Sequence, residues 1–492
     1  MTASDFPVAG PVLLAGAGVS GLGAAKLLAR TPVSFAVADD DAGKLARIAE
    51  IAGPNFLGGL TTEEAGRTAG DYPTVVTSPG WRPDSALLSA ARDAGCEVFG
   101  DVELCFRLDR AGVFGPPRDW LVVTGTNGKT TTTGMLAAIM QEAGSYTGKR
   151  AIACGNIGVA VGDALTTEPR VDVLVAELSS FQLHWSDTLT PDAGVLLNLA
   201  EDHIDWHGSF DAYASSKAKV FESSVAVAGS DDSKVLMYAE QSGRSGIIGF
   251  TLSEPGAGQV GIVDGTIVSR IGEKISGGAG VPVEITPVDG IEPAGQAGVL
   301  DALAAAAVAI TQGAAPEHIH RGLHGYHVSG HRGAVVHSGG GVMWVDNSKA
   351  TNPHAADSAL RGAIGGTGHG AGGHESKIVW VAGGQLKGAD VDELVAQHAR
   401  RFRAVALLGV DREEIARAVD KHAPGIPVFS TDSTDPHEAM RAAVDFAAQH
   451  ALPGDAVILA PAAASLDMYS GMAQRGNIFA ASARALDGKH DA

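Results

Sequence analysis

Cysteine is scarce in this chain, where 492 residues include only Cys96, Cys105 and Cys154. An odd, sparse set excludes a disulfide framework and suits a reducing compartment, so a cytoplasmic protein is expected. Cationic side chains are also short: 36 Lys and Arg face 56 Asp and Glu, a formal charge of -20 that repels a polyphosphate backbone. With no local basic cluster to offset that repulsion, nucleic acid is excluded as a partner. Long apolar runs are missing too. The most apolar, VLDALAAAAVAI from Val299, contains Asp301 and falls well short of the roughly 20 residues needed to cross a bilayer, so it reads as a buried helix and no membrane partner is expected. The opening MTASDFPVAG lacks a basic stretch followed by an apolar core, and no export signal is expected.

What the chain does have is alternation. Strand-like runs (PVLLAGAG, FAVAD, TVVTSPG) alternate with amphipathic helical ones (GLGAAKLLAR, SALLSAARDAG), as in a parallel sheet with crossover helices. A second series opens at WLVVTGTNGKTTTTGMLAAIM and runs through VDVLVAELSS and DAGVLLNLAE. Between about Ser253 and Pro293 helical periodicity stops, and Asp264-Gly265 between β-branched runs predicts a type I′ hairpin. A third series, GVMWVDNS, KIVWVAGG, AVALLG, PVFS and DAVILAPAAAS, follows Gly325, and the Gly-rich GGTGHGAGGHES within it reads as a mobile connection. The expected fold is α/β in three domains: Rossmann-like over residues 1–113, a P-loop parallel sheet with a small β excursion over 114–326, and Rossmann-like again over 327–492.

The strongest chemical signal is TGTNGKTT, residues 124–131. Between a buried strand and a helix, Gly125 and Gly128 let backbone amides turn toward phosphate oxygens, and Thr126, Asn127 and Thr131 are expected to bind the nucleotide. Lys129 supplies a cation, and Thr130 a hydroxyl for magnesium. Val123 stands where the generic loop begins with glycine, so this is a variant P-loop, and ATP is its expected ligand. Glu177 just past a second strand can bind metal or orient water. His203 follows a third strand, with Lys217 fourteen residues on. A second glycine pattern, Gly16, Gly18 and Gly21 with Asp39 after the next strand, would by itself indicate a dinucleotide such as NAD.

Taken in order, TGTNGKTT, GNIG from Gly155, ELSSFQL, NLAEDHIDWH and YASSK resemble the central domain of the Mur ligase family, ATP-dependent amide-forming enzymes of peptidoglycan synthesis. The resemblance implies that Thr130 and Glu177 bind one magnesium and that His203 with a carbamylated Lys217 serves a second. It places Asn156, Ser179 and Gln182 on the substrate side. It also converts the N-terminal glycine turn from an NAD site into one for a uridine diphosphate sugar, held by Val19, Ser20 and Asp39 and by a second loop, Ser78, Pro79 and Gly80.

VDNSKATNPHAA resembles the signature of the branch that adds D-glutamate. There Thr351, Lys387, Ser465 and Leu466 would meet the amino acid, whose two carboxylates suit a lysine, while Lys349, Asn347 and Arg332 would lie on the nucleotide side. The implied substrates are UDP-N-acetylmuramoyl-L-alanine and D-glutamate, on a monomer. A sister ligase adding another amino acid is the nearest alternative.

Three departures from the family pattern stand out. Ala297, Gly298 and Asp301 replace its H-N-x-x-N-type residues, Asn347 follows rather than precedes the acid Asp346, and Met472 replaces a Phe. The run HIHRGLHGYHVSGHR, with His318, His320, His324, His327 and His331, fits no zinc spacing.

Overall fold

The computed structural model describes residues 6–156, 158–272, 281–327, 330–331, 333–362 and 376–486. The Gly-rich run after Gly362 and Arg332 lie outside the described residues. Two compact units result, Met1–Leu199 with Phe210–Ile291 and Leu300–Tyr326, and Ala200–Ser209 with Glu292–Val299 and His327–Ala492.

The first unit carries two sheets. One is all parallel, in the order β3-β2-β1-β4-β5, from β1 (Val12–Ala15), β2 (Phe35–Ala38), β3 (Phe56–Leu60), β4 (Thr74–Thr77) and β5 (Glu97–Gly100). The order reverses between β1 and β4, and in such open sheets ligands settle beyond the strand C-termini at that point. The glycine turn follows β1 and the Ser78 loop follows β4, so the two loops read from the sequence flank one crevice.

The second sheet runs β14-β13-β12-β11-β10-β9-β6-β8-β7. Its parallel part comprises β6 (Asp119–Thr124), β7 (Ala151–Gly155), β8 (Val173–Glu177), β9 (Ala193–Leu196), β10 (Val225–Gly229), β11 (Ile248–Phe250) and β12 (Gln259–Val263). An antiparallel edge is formed by β12, β13 (Thr266–Ser269) and β14 (Val283–Pro287). Asp264 and Gly265 turn between β12 and β13 with φ of 46° and 74°, the left-handed pair that a type I′ hairpin requires. The apolar run in helix Gln296–Thr311 is buried along Ala302–Ala309, as expected.

The two sheets are joined through a buried polar knot. Arg118 donates to Asp109 at 2.6 Å and to the carbonyls of Val171 and Leu165. Asp109, on helix Asp101–Arg110, also accepts from the indole of Trp120 on β6 at 2.9 Å. Both charged groups are almost wholly buried, so each needs the other.

In the second unit the order is β15-β16-β20-β17-β18-β19, from β15 (Ala334–Gly339), β16 (Val342–Asp346), β17 (Ile378–Gly383), β18 (Phe402–Leu408), β19 (Val428–Ser430) and β20 (Ala456–Leu459). All pairs are parallel except β15 with β16. Along β17, Ile378, Trp380 and Ala382 enter one core and Val379 and Val381 the other, which is why KIVWVAGG is an unbroken apolar run.

The strands that the sequence did not reveal are mostly marginal ones. β3 reads FLGGL and alternates between half-buried and exposed positions, and the edge strand β15 is likewise only partly covered. With one face wet and glycines inside, such strands lack the apolar run that marks the others.

Candidate active site

The P-loop is braced from several sides. Gly128 adopts the left-handed conformation (φ 82°) that opens helix Lys129–Thr147. The amides of Thr126 and Asn127 bond to the backbone and side-chain oxygens of Asn198 just beyond β9, and Thr126 Oγ1 pairs with the Tyr213 hydroxyl at 2.9 Å. Asp301, the departure noted above, packs against Gly128 and accepts from Thr132 Oγ1 at 3.1 Å. A carboxylate at this place therefore fixes the first turn of the helix.

Two cations converge on one oxygen. Lys129 Nζ donates to Gly125 O at 3.0 Å and Thr126 O at 2.9 Å; Lys217 Nζ, buried, donates to the same Gly125 O at 2.7 Å. Since both lie on one carbonyl, less than about 6 Å separates the two ammonium groups. Glu177 is buried at the end of β8, its Oε1 held by Asn156 Nδ2 at 3.1 Å, so Asn156 orients the carboxylate.

Ser179 and Gln182 form a reciprocal capping box on helix Ser180–His184, which fixes that segment next to Glu177. Thr130 and Thr131 open the helix behind the loop, Thr131 buried. His203, at φ 54°, begins the short helix Ile204–His207 and belongs to the second unit. Among the described residues no group of three His, Cys, Asp or Glu side chains converges as a metal site. Magnesium, which keeps water and phosphate oxygens as ligands, does not require one.

At the crevice of the first sheet, Gly21 lies so close to Gly16 that a Cβ would sit 1.8 Å from its carbonyl oxygen, so only glycine lets helix Val19–Leu28 start there. Asp39 is partly buried, which would raise its pKa, but the amides of Ala17 and Asp41 and the nearby Lys44 outweigh burial and hold it below the usual carboxylate range. Its oxygens brace the glycine turn, with Ala17 N–H at 2.8 Å. Across the crevice Ser78 Oγ is buried with no hydrogen-bond partner among the described residues. Such an orphan suits a ligand hydroxyl or phosphate. Val19 is exposed, Pro79 half-buried and Gly80 exposed, and Ser20 donates to Asp101.

In the second unit three loops meet beyond the C-terminal ends of β16, β17 and β20. Asn347 N–H bonds to Leu459 O, Gly383 N–H to Pro461 O, Ala462 N–H to Ala350 O, and Gln385 and Ala464 exchange both backbone bonds. These loops carry Lys349, Thr351, Lys387, Ser465 and Leu466. Lys387 is exposed at φ 55° and Ala462 sits at φ 59°, strained conformations that the zippered loops enforce. Ser465 is buried and its carbonyl caps the following turn, while Leu466 is exposed. Met472 contributes its backbone: its carbonyl accepts from Ser348 Oγ at 2.7 Å.

Asp346, the displaced acid, is buried against His331 Nδ1 at 2.6 Å and accepts the Ser348 amide, so it anchors the loop. The remaining histidines are dispersed: His320 and His324 share the Thr286 hydroxyl, His318 bonds the Ala315 amide and His327 faces Glu292. Sequence reasoning missed the braces Asn198, Tyr213 and Asp346 and the buried Arg475. Asn198 and Tyr213 lay inside quoted motifs, but nothing in the linear pattern assigns them a partner.

Fold and site together define an α/β enzyme with a P-loop phosphate cradle and a separate set of polar loops on a second parallel sheet. Comparison with known proteins supplies the family. The Mur ligase middle domain matches residues 123–277, and the Mur ligase, glutamate ligase domain matches residues 331–463. The chain is 55% identical over 471 residues to the UDP-N-acetylmuramoylalanine--D-glutamate ligase of Corynebacterium efficiens, covering 96% of this chain and 94% of that one. It is 42% identical to the enzyme of the same name from Mycolicibacterium smegmatis, covering 97% of each. Among solved structures, a pseudomurein peptide ligase type C from Methanothermus fervidus shares the fold at a TM-score of 0.56 and 14% identity, over 95% of this chain and 98% of that one. UDP-N-acetylmuramate-alanine ligase from Thermotoga maritima does so at 0.53 and 15%, over 98% and 99%.

The chain belongs to the Mur ligase family. Mur ligases are ATP-dependent amide-forming ligases, and the NAD reading of the glycine turn falls away.

Proposed function

We propose that this chain couples D-glutamate to UDP-N-acetylmuramoyl-L-alanine in peptidoglycan precursor synthesis, with ATP cleaved to ADP and phosphate. The observation that carries the reading is near-full-length identity of 42–55% to ligases named for that reaction. The three sheets correspond in this reading to domains 1–113, 114–326 and 327–492, for the uridine substrate, ATP and the amino acid. The Ser78 and glycine-turn loops take the uridine diphosphate. Lys129 and the amides at the start of helix Lys129–Thr147 hold the terminal phosphates.

Magnesium bound by Thr130 and Glu177, with a second ion served by carbamylated Lys217, would supply charge neutralisation at the phosphates. The crowding of Lys129 and Lys217 on Gly125 O supports the modification, because a neutral Lys217 amine can add carbon dioxide and release a proton to become an anionic carbamate.

The muramoyl carboxylate attacks the γ-phosphorus of ATP, the bond to ADP breaks, and an acyl phosphate forms. Lys129 donates to the oxygens on which charge develops. The amine of D-glutamate, held by Thr351, Lys387, Ser465 and Leu466, attacks the acyl carbon after losing a proton, and phosphate leaves through a tetrahedral intermediate. The test is ADP release and product mass with the UDP-muramoyl precursors and D-glutamate, L-glutamate, L-lysine or D-alanyl-D-alanine as acceptors. Coupling with D-glutamate is expected, whereas ATP consumption indifferent to the amine, with no lengthened product, would refute the reading.

A further inference from the structure

Arg475 lies on helix Met472–Arg484 and is 1% exposed, among the largest fully buried side chains of the protein. Its guanidinium reaches all three loops of the second unit's site. Nε donates to Ser348 Oγ at 3.1 Å and Nη2 to Ser348 O at 2.9 Å, both on the loop after β16. Nη1 is shared between Gly383 O at 3.2 Å, at the end of β17, and Ala463 O at 3.1 Å, after β20. Gly384 is shaped around it: at φ 135°, a Cβ there would lie 2.0 Å from Ala464 O and 3.3 Å from Nη1.

A buried charge is ordinarily paired. Here the acceptors are neutral, and among the described residues no carboxylate forms an ion pair with Arg475. Burial pushes its pKa down to about 10, partly countered by Tyr469, Asp467 and Asp346, so it remains a cation at neutral pH. A planar donor fork is suited to hold several carbonyls at once, and a fixed charge in a weakly polarisable interior acts beyond its contacts.

We propose that Arg475 is the positioning residue that ties the three amino-acid loops together and that its buried positive charge, which among the described residues no carboxylate pairs directly, biases this site toward an acceptor with two carboxylates. The inference rests on the amino-acid site proposed above. Arg475 acts through Ser348, which precedes Lys349 and Thr351, and through the Gly383 and Ala463 backbones, which lead to Lys387 and Ser465.

Steady-state ADP release tests it with Arg475→Gln, Arg475→Lys and Ser348→Ala. The Gln variant should raise KM for D-glutamate about tenfold or more while KM for ATP and for the UDP-muramoyl substrate stays within about twofold. Its preference for D-glutamate over D-glutamine should shrink by a similar factor. The Lys variant, which keeps the charge and loses the fork, should retain most of that preference although its KM rises. If the Gln variant does not fold, Ser348→Ala carries the test: it should raise KM for D-glutamate selectively, by about threefold. Equal changes in all three KM values with the preference intact, or an unaltered KM for D-glutamate, would overturn the role. Wild-type protein that releases no ADP with D-glutamate would refute the proposed reaction itself, and with it this inference.

Discussion

Arg118 and Arg475 are buried to the same degree, and both donate to backbone carbonyls, yet they stand in opposite parts of the design. Arg118, in the first unit, has Asp109 at 2.6 Å and joins helix Asp101–Arg110 to the start of the second sheet, away from any loop with reactive side chains. Arg475, in the second unit, donates only to Ser348 and carbonyls, at the C-terminal edge of a parallel sheet, and meets Asp467 and Asp346 through their field alone. A counter-charge makes a buried cation part of the framework. Without one in direct contact, part of its field remains available to a ligand. Lys129 and Lys217 also donate to loop carbonyls, at the phosphate cradle.

The contrast is sharpest at the P-loop. Lys129→Ala should lower kcat by about 10³-fold, on the order of 4 kcal/mol, with an unchanged urea midpoint. Near-normal turnover would break the link between carbonyl-partnered cations and function. Arg118→Ala should do the reverse. It strands Asp109 and should destabilise the first unit by about 3–5 kcal/mol, read from denaturant unfolding, while KM values of the folded enzyme hold.

Lys217 tests whether a mobile proton matters. Lys217→Ala should lose about 10²-fold in kcat and recover part of it with short-chain carboxylic acids, whereas Lys217→Arg, a cation that cannot be carbamylated, should lose as much and not recover. Equal responses of the two variants to added acid would remove the carbamate.

The smallest effect concerns Asp101, at the start of the helix that Arg118 anchors. Burial raises its carboxyl from 3.8 to about 6, against the pull of Ser20 and the Val102 amide. In that window the folded protein binds more protons than the unfolded chain, so this group's contribution to stability falls as pH rises from 3.8 to about 6. Asp101→Asn should flatten that segment of a stability–pH profile. A wild-type profile with no decline attributable to Asp101 would show its carboxyl to be unperturbed.

Much of this was legible beforehand because the reactive groups sit in contiguous stretches. TGTNGKTT is one loop, and its glycines, lysine and threonines act within eight residues of chain. The hairpin at Asp264-Gly265 was equally local, since both positive φ values belong to adjacent residues. Asp301 shows where such reading stops. It appeared as a mismatch in a helix, and only the packed helix shows its carboxylate against Gly128 and Thr132. Asp346 likewise looked like an acid one place out of register, whereas in the fold it is the anchor for His331 and the Ser348 amide. Arg475 gave no signal at all, because its partners come from residues 348, 383 and 463.

The sequence by itself determined the alternation of strand and helix, the phosphate loop, the two turns that flank the first crevice and the family. Those follow from backbone preferences and from side chains acting on near neighbours in the chain. Only the tertiary structure decided that two lysines share the Gly125 carbonyl and that one buried arginine joins three loops. Hydrogen bonds and Coulomb forces act over a few ångströms of space regardless of separation along the chain.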